Sequence, residues 1–300
     1  MFAGLVGATQ TFGDALGVDP LSRAFWLSML SAGDPIADFI LAHRVIAAIG
    51  GAVVLVVIGL ATGIVRTVLR EYGFRLDRTD VGLRRRRGLL TRTDVTLPAR
   101  RAQAAIVGTG PLRDNFGWRE LKLQSLASDE GGSGDHVLGP LASEEEVGTI
   151  LGALGWRPLS TAVDWRRVSS AYLWALAVVV SPLLLLFIAL AALRAPYLLL
   201  VAGVFLMLLL RWRAWRRTLY ALDSDRLLMR SGWWRRRTVI LPLDKIQSID
   251  LTESVISRMF GVAGLGFGVA GGSGFSAHEI PALPRETARE LREQLLVSVR

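Results

Sequence analysis

Two runs of arginine, Arg84-Arg85-Arg86-Arg87 and Arg235-Arg236-Arg237, are the residues of this chain best suited to a chemical task. That task is anion binding, because a guanidinium offers a planar fork of donors to a phosphate. Near an anionic bilayer each basic residue contributes about 1 kcal/mol of attraction. The plainer reading is a solvated strand face that only sets topology, and on sequence alone both readings stand. Trp233 and Trp234 precede the second run. They suit either an interfacial anchor or a cap on a core, with one of them expected in the core.

Other motifs carry less. Gly266-Phe-Gly268-Val-Ala-Gly271 matches the dinucleotide fingerprint letter by letter. The fingerprint needs a strand before it and a helix opening at its end. More glycine follows here, so no nucleotide is expected. His43, His136 and His278 are too far apart in sequence, and too poor in neighbouring ligands, to suggest a metal. Glu144-Glu145-Glu146 follows Ser143 as a helix-opening capping box would, rather than as an acid–base pair. With no cysteine, thiol catalysis, cysteine-held zinc and disulfides are excluded. No catalytic residue, metal or cofactor is expected.

The elements that must position the arginines are partly in a membrane. Of 300 residues 51% are hydrophobic while 20% are charged, which fits spans alternating with polar domains. Mean hydropathy is +0.40. Val45 to Val65 has no charge and is long enough to cross. Val168 to Leu193 and Ala195 to Leu210 are two more apolar runs, turning at Leu193-Arg194-Ala195-Pro196 into a hairpin. The third run is short, and the RWRAWRR segment Arg211 to Arg217 can snorkel and anchor to make up its length. The net charge is +9 and nearly all of it is arginine. The clusters follow the membrane ends, so by the positive-inside rule residues 66–167 and 211–300 are expected in the cytoplasm. Residues 1–44 lack the basic start of a signal peptide, and Ala24 to Leu41 reads as a re-entrant or amphipathic segment.

The polar parts repeat. Gly88, Leu97, Pro98, Arg101 and Gln103 match Gly232, Leu241, Pro242, Lys245 and Gln247, each 144 residues on. Phe116-Gly117 and Phe260-Gly261 keep that spacing. Upstream, Phe74 to Asp77 resembles Tyr220 to Asp223 with a shift of two, which suggests an inserted loop. Alternation through Val95, Leu97, Val239, Leu241 and Leu121 to Leu126 predicts strands. Pro98 and Pro242 are expected at strand edges or starts. Each copy should end in a helix, the second over Pro284 to Val299 with Ala288, Leu291, Leu295 and Leu296 on its apolar face.

With Pro98 to Gln103 before Phe116-Gly117, and Pro242 to Gln247 before Phe260-Gly261, the chain resembles the bacterial pleckstrin-homology-like, membrane-flanked domain proteins of the YdbS/YdbT-like group. The likeness covers roughly residues 36 to 300. It implies a seven-stranded PH-like unit with a C-terminal helix and no catalytic residues. Longer members carry three units, so this chain of two reads either as a shortened relative or as a gene read from a late start.

The expected fold is an α+β membrane protein, with transmembrane helices alternating with two PH-like small β-barrel domains, each closed by a C-terminal helix. The boundaries are an N-terminal segment 1–44, a span 45–70, a first domain 71–158, a helical hairpin 165–215 and a second domain 216–300. The expected function is a non-enzymatic scaffold at the inner face of the bacterial cytoplasmic membrane, offering protein or anionic-lipid contacts. Arg84 to Arg87 and Arg235 to Arg237 are the candidate lipid-contacting residues. Pro98, Gln103, Gly117, Pro242, Gln247 and Gly261 are structural. The alternative is a transporter or membrane enzyme, which the scarcity of polar residues in the spans disfavours. Nucleic acid is not an expected partner.

Overall fold

A computed structural model describes residues 42–125, 135–159, 163–270 and 278–298. The N-terminal segment through residue 41, Leu126 and the end of the glycine-rich run from Gly271 lie outside them. The chain divides into two bodies, 1–70 and 71–300. In the first, the described part is almost wholly the helix α1, Arg44–Glu71. Among the described residues three helices are long and apolar enough to cross a membrane.

In the second body, β1 (Arg75–Thr79), β2 (Gly82–Arg87) and β3 (Thr93–Pro98) form a three-stranded antiparallel sheet. Then follow β4 (Ala102–Thr109), a short helix α2 (Pro111–Asn115), β5 (Arg119–Ser125), β6 (Asp135–Ala142) and α3 (Glu144–Ala153). A two-residue strand β7 (Arg166–Arg167) leads into the hairpin helices α4 (Ala171–Leu193) and α5 (Leu198–Arg216). The second copy comprises β8 (Leu219–Asp223), β9 (Arg226–Ser231), β10 (Arg236–Pro242), β11 (Ile246–Thr252), α6 (Val255–Met259), β12 (Val262–Val269), β13 (His278–Pro284) and α7 (Arg285–Ser298).

Strand register shows the repeat more plainly than the residue matches. Arg75 opposes Arg86 as Leu219 opposes Arg230, and Leu83 opposes Leu97 as Leu227 opposes Leu241. Ala105 opposes Leu123 as Ile249 opposes Phe267. The offset of 144 therefore already holds at β1, and the inserted loop expected upstream is absent. The shift of two comes later. Leu123 opposes His136 and Phe267 opposes His278, so the two histidines are equivalent and the residues between these strands differ in number. Pro98 and Pro242 close β3 and β10 rather than opening strands, and each leads into a single 3-10 turn.

Two separate units were expected, yet they share a sheet. β10 pairs with β4, from Arg236 opposite Thr109 to Ile240 opposite Ala105. The result is a seven-stranded sheet in the order β6-β5-β4-β10-β9-β8-β7, with three-stranded sheets β1-β2-β3 and β11-β12-β13 besides. Alternate residues serve different cores. Leu227, Met229, Val239 and Leu241 join Ala104 in the core of the second unit. Ala221, Leu228 and Ile240 join Ala105, Val107 and Leu121 in the core of the first. Strands buried on both faces read as unbroken apolar runs, which is why Leu227-Leu228-Met229 and Val239-Ile240-Leu241 lack the alternation of β3. The outer face of the first sheet is polar instead: Arg84 pairs with Asp94 at 2.5 Å, and Thr96 is exposed. On the far sheet Gln247, Ser248 and Asp250 are exposed in the same way.

The helices behave as their sequences require. Ser143 accepts from the Glu146 amide at 3.2 Å while its own amide donates to the Glu146 carboxylate at 2.7 Å, closing the capping box. On α7, Ala288, Leu291 and Leu295 enter the core, while Leu296 stays exposed. In α4, Pro182 cannot donate to the Val178 carbonyl, and the Ser181 hydroxyl donates to it instead at 2.8 Å. The hairpin turns through an extended Arg194 and a 3-10 turn, Ala195–Tyr197. α5 runs on past Leu210 through the arginine cluster, which supplies the length the apolar run lacks.

Trp215 staples the hairpin to the second unit: its indole N–H donates to the Val168 and Ser169 carbonyls, both at 3.1 Å. The Ser169 amide donates to Ala282 at 2.9 Å, and Arg211 lies 3.4 Å over the Tyr172 ring.

His278 carries a pH dependence. It is buried, with its Nε2 at 2.6 Å from Gln124 Oε1, so the ring donates there. Burial lowers its pKa below the ordinary 6.5, Arg237 lowers it further, and Asp135 opposes them. The unfolded chain therefore binds a proton that the folded chain resists. Stability should fall as pH drops below about 6.5. The thermal midpoint in detergent, measured at pH 7.5 and 5.5, should drop less for His278→Gln than for the parent chain. An equal drop in both would exclude His278 as the cause.

Candidate functional site

The arginine runs do not act as blocks, because Arg84 to Arg87 and Arg236-Arg237 lie in strands whose side chains alternate, while Arg235 precedes its strand. Arg84 and Arg86 face outward across Asp94, which Arg84 holds below the usual carboxylate range. Arg85 is wholly buried and donates to the Val137 carbonyl at 3.1 Å. Arg87 is buried and pairs with Glu71 at 2.7 Å. Arg85 and Arg87 thus cannot meet lipid: a period-two strand sends every second residue inward. In the second run Arg235 is exposed, Arg236 pairs with Asp114, and Arg237 donates to Ser231 Oγ at 3.1 Å. Trp233 and Trp234 meet edge to face at 5.5 Å, and both are exposed, so neither caps a core.

The structural residues divide similarly. Gln103 is buried and donates to the Arg101 carbonyl at 3.3 Å, whereas Gln247 is exposed. Gly117 and Gly261 follow α2 and α6 with φ of +69° and +65°, the left-handed conformation that ends a helical turn. Gly266 and Gly268 lie within β12, so this part of the fingerprint is strand rather than a phosphate loop. No cluster of possible metal ligands occurs among the described residues.

A basic cleft forms where the hairpin joins the shared sheet. It measures about 380 Å³ and is lined by Arg119, Arg216, Arg217, Arg230, Arg236 and Arg237. Asp114 and Glu144 are the carboxylates on its wall. Asp114 is already engaged, accepting from Arg119 at 2.8 Å and from Arg236; these bonds hold its pKa below the usual range. Arg119 also approaches Glu144, at 3.8 Å. Arg216 lies 4.9 Å over Trp212, and Arg230 lies 3.9 Å over Trp165. Partial desolvation lowers the Arg230 pKa, with Glu144 opposing. Six guanidinium groups against two carboxylates leave a positive cleft suited to a phosphate or phosphodiester.

The opposite face of the sheet has a larger cleft of about 780 Å³, shared by Arg230 and Arg237. There Arg211 is added, but Asp135 and Glu279 face it, so the charge is nearly balanced. The first cleft is therefore the better anion site. Arg236 and Arg237 belong to the run that sequence singles out. Arg119 and Arg230 escape it, because strand pairing brings them in. Arg216 and Arg217 were legible only as the end of the anchor segment.

Comparison with known proteins gives one family match: the model described as Bacterial PH domain matches residues 36–157 and again 163–298. No curated protein and no solved structure matches the chain.

Proposed function

The chain belongs to the bacterial PH domain family, and on that premise we propose that it is a non-enzymatic scaffold of the cytoplasmic membrane. Its fused PH-like pair recognises anionic lipid headgroups at the inner face. The observation that carries this reading is the arginine-lined cleft at the base of the hairpin. Arginines at the ends of the apolar helices support a cytoplasmic orientation of the PH-like pair. The PH-like likeness supports reading each unit as a small barrel plugged by its helix, α3 or α7. A lipid phosphate in the cleft would lie within a Debye length of roughly 8 Å of several guanidinium groups. Protein partners are a second kind of contact for such a scaffold.

The test is a titration of the full chain in zwitterionic detergent with short-chain phosphatidylglycerol, read by intrinsic fluorescence. Binding should saturate, exceed that of phosphatidylcholine, and weaken with salt. Arg217→Gln and Arg230→Gln should each weaken it about fivefold, taking about 1 kcal/mol per basic residue. Equal binding of both lipids, or no loss in the double variant, would overturn the reading.

A further inference from the structure

The loops at one end of the PH-like pair carry apolar residues that no core takes up. Leu90 is 81% exposed, Phe116 62%, Trp234 58% and Met259 75%, with Leu89 and Trp233 beside them. Two of these loops are equivalent: Leu89-Leu90 in the β2–β3 connection stands 144 residues before Trp233-Trp234 in the β9–β10 connection.

Chain path places each of them beside a membrane exit. The Gly88 amide donates to the Tyr72 carbonyl at 2.9 Å, one residue after α1 ends. Leu219, three residues after α5 ends, opposes Arg230. β9 then runs back past the start of β8 toward the hairpin. Phe116 stacks on Trp118 at 5.0 Å beside α2, whose Asp114 is tied to Arg236 at the base of the tryptophan loop. Met259 ends α6, and Val262 soon after it packs against Ala171 at the start of α4.

The distances agree. From Leu210, the last apolar residue before the arginines, to Arg216 is about 9 Å of helix at 1.5 Å per residue. Arg230 lies opposite Leu219, three residues past Arg216, and Trp233 is three residues beyond Arg230, at most about 10 Å of extended chain at 3.3 Å per residue. The tryptophan loop thus reaches back to about the level of Arg216, the basic end of α5 about 9 Å past the apolar run, where an interfacial belt belongs. Arginine accompanies the loops, with Arg92, Arg235 and Arg258 next to their apolar residues.

We infer that these loop tips, Leu89-Leu90, Phe116, Trp233-Trp234 and Met259, insert into the interfacial zone of the bilayer and dock the PH-like pair on the membrane. The inference rests on the reading that the hairpin lies in a bilayer, but not on lipid in the arginine cleft. Apolar insertion should therefore occur in zwitterionic membranes too.

The chain has no cysteine, so single thiols can be introduced for an environment-sensitive label. Full-length Leu90→Cys, Phe116→Cys and Trp234→Cys are compared in phosphatidylcholine vesicles with Ser224→Cys, in the β8–β9 turn at the opposite end of the shared sheet. Leu206→Cys, in the middle of α5, is the reference for membrane embedding. Labels at 90, 116 and 234 should show a blue shift, a several-fold rise in emission and quenching by spin-labelled lipid, with none of these at 224. Quenching at 206 but not at 90, 116 and 234 would overturn the insertion while leaving the spans in place. No quenching at 206 would remove the premise and the inference together. A blue shift at 234 without lipid quenching would show a protein contact instead and also overturn it.

Discussion

A fragment beginning at residue 218 should fail to hold a native fold. Sequence boundaries make it look self-contained, because it holds every strand of the second repeat. Its β10 would lose the five pairings with β4. It would also expose Ala221, Leu228 and Ile240, which the first unit's core covers. Leucine and isoleucine each contribute about 1.5–3 kcal/mol when fully buried. Two of them with an alanine approach the 5–15 kcal/mol that typically separates folded from unfolded domains. An unpaired strand edge beside an apolar face also invites aggregation. Near-ultraviolet circular dichroism and amide exchange should show fluctuating packing or association. A monomeric fragment with a cooperative melt and slowly exchanging β9 and β10 amides would refute the shared-core account.

The second large effect is expected at Gly232, and equally at Gly88. Their φ values are +91° and +110°, conformations that L side chains rarely adopt. A methyl group would also run into the carbonyl oxygen of Arg235 at Gly232, and of Thr91 at Gly88. Backbone atoms cannot step aside as a flexible side chain could. Gly232→Ala should therefore cost ~3–5 kcal/mol, from strain and collision together. Gly117 and Gly261 make the control. They too have positive φ, but a methyl group there meets nothing within 4 Å. Alanine at those sites should cost only about 1–2 kcal/mol. Melting of the full chain in detergent would rank the four; a Gly232→Ala protein as stable as Gly261→Ala would show that the loop relaxes freely.

The repeat, the long apolar helices and the terminal helices were legible because each is written locally. Leu97-Pro98 and Leu241-Pro242 recur at one spacing, the three runs are long and uncharged, and Ser143 and Glu146 are three residues apart. The shared sheet was not, although Leu227-Leu228-Met229 held a clue. An unbroken apolar run fits a strand with two buried faces, yet it does not say what covers the second face. The arginine cleft was half legible. Arg236 and Arg237 stood out as a run, whereas Arg230 reaches them across the β9–β10 hairpin and Arg119 through strand pairing across more than a hundred residues of chain. Arg85 misled for the opposite reason: four consecutive like charges suggest one surface, while the pleat turns alternate members inward.

The polar outer face of β1–β3 has a meaning in the growth of such chains. Arg84 and Thr96 stand where the second unit has Leu228 and Ile240, and Asp77 stands where it has Ala221. Those three apolar residues are the adhesive by which one module accepts the module before it. Duplicating the module copies the strand edge automatically, but the adhesive must be evolved separately. A chain that gained a further module ahead of β1 would carry a charged Arg84–Asp94 pair into the new junction and leave it desolvated. A module with this polar face would therefore accept another there only at the cost of desolvating an ion pair.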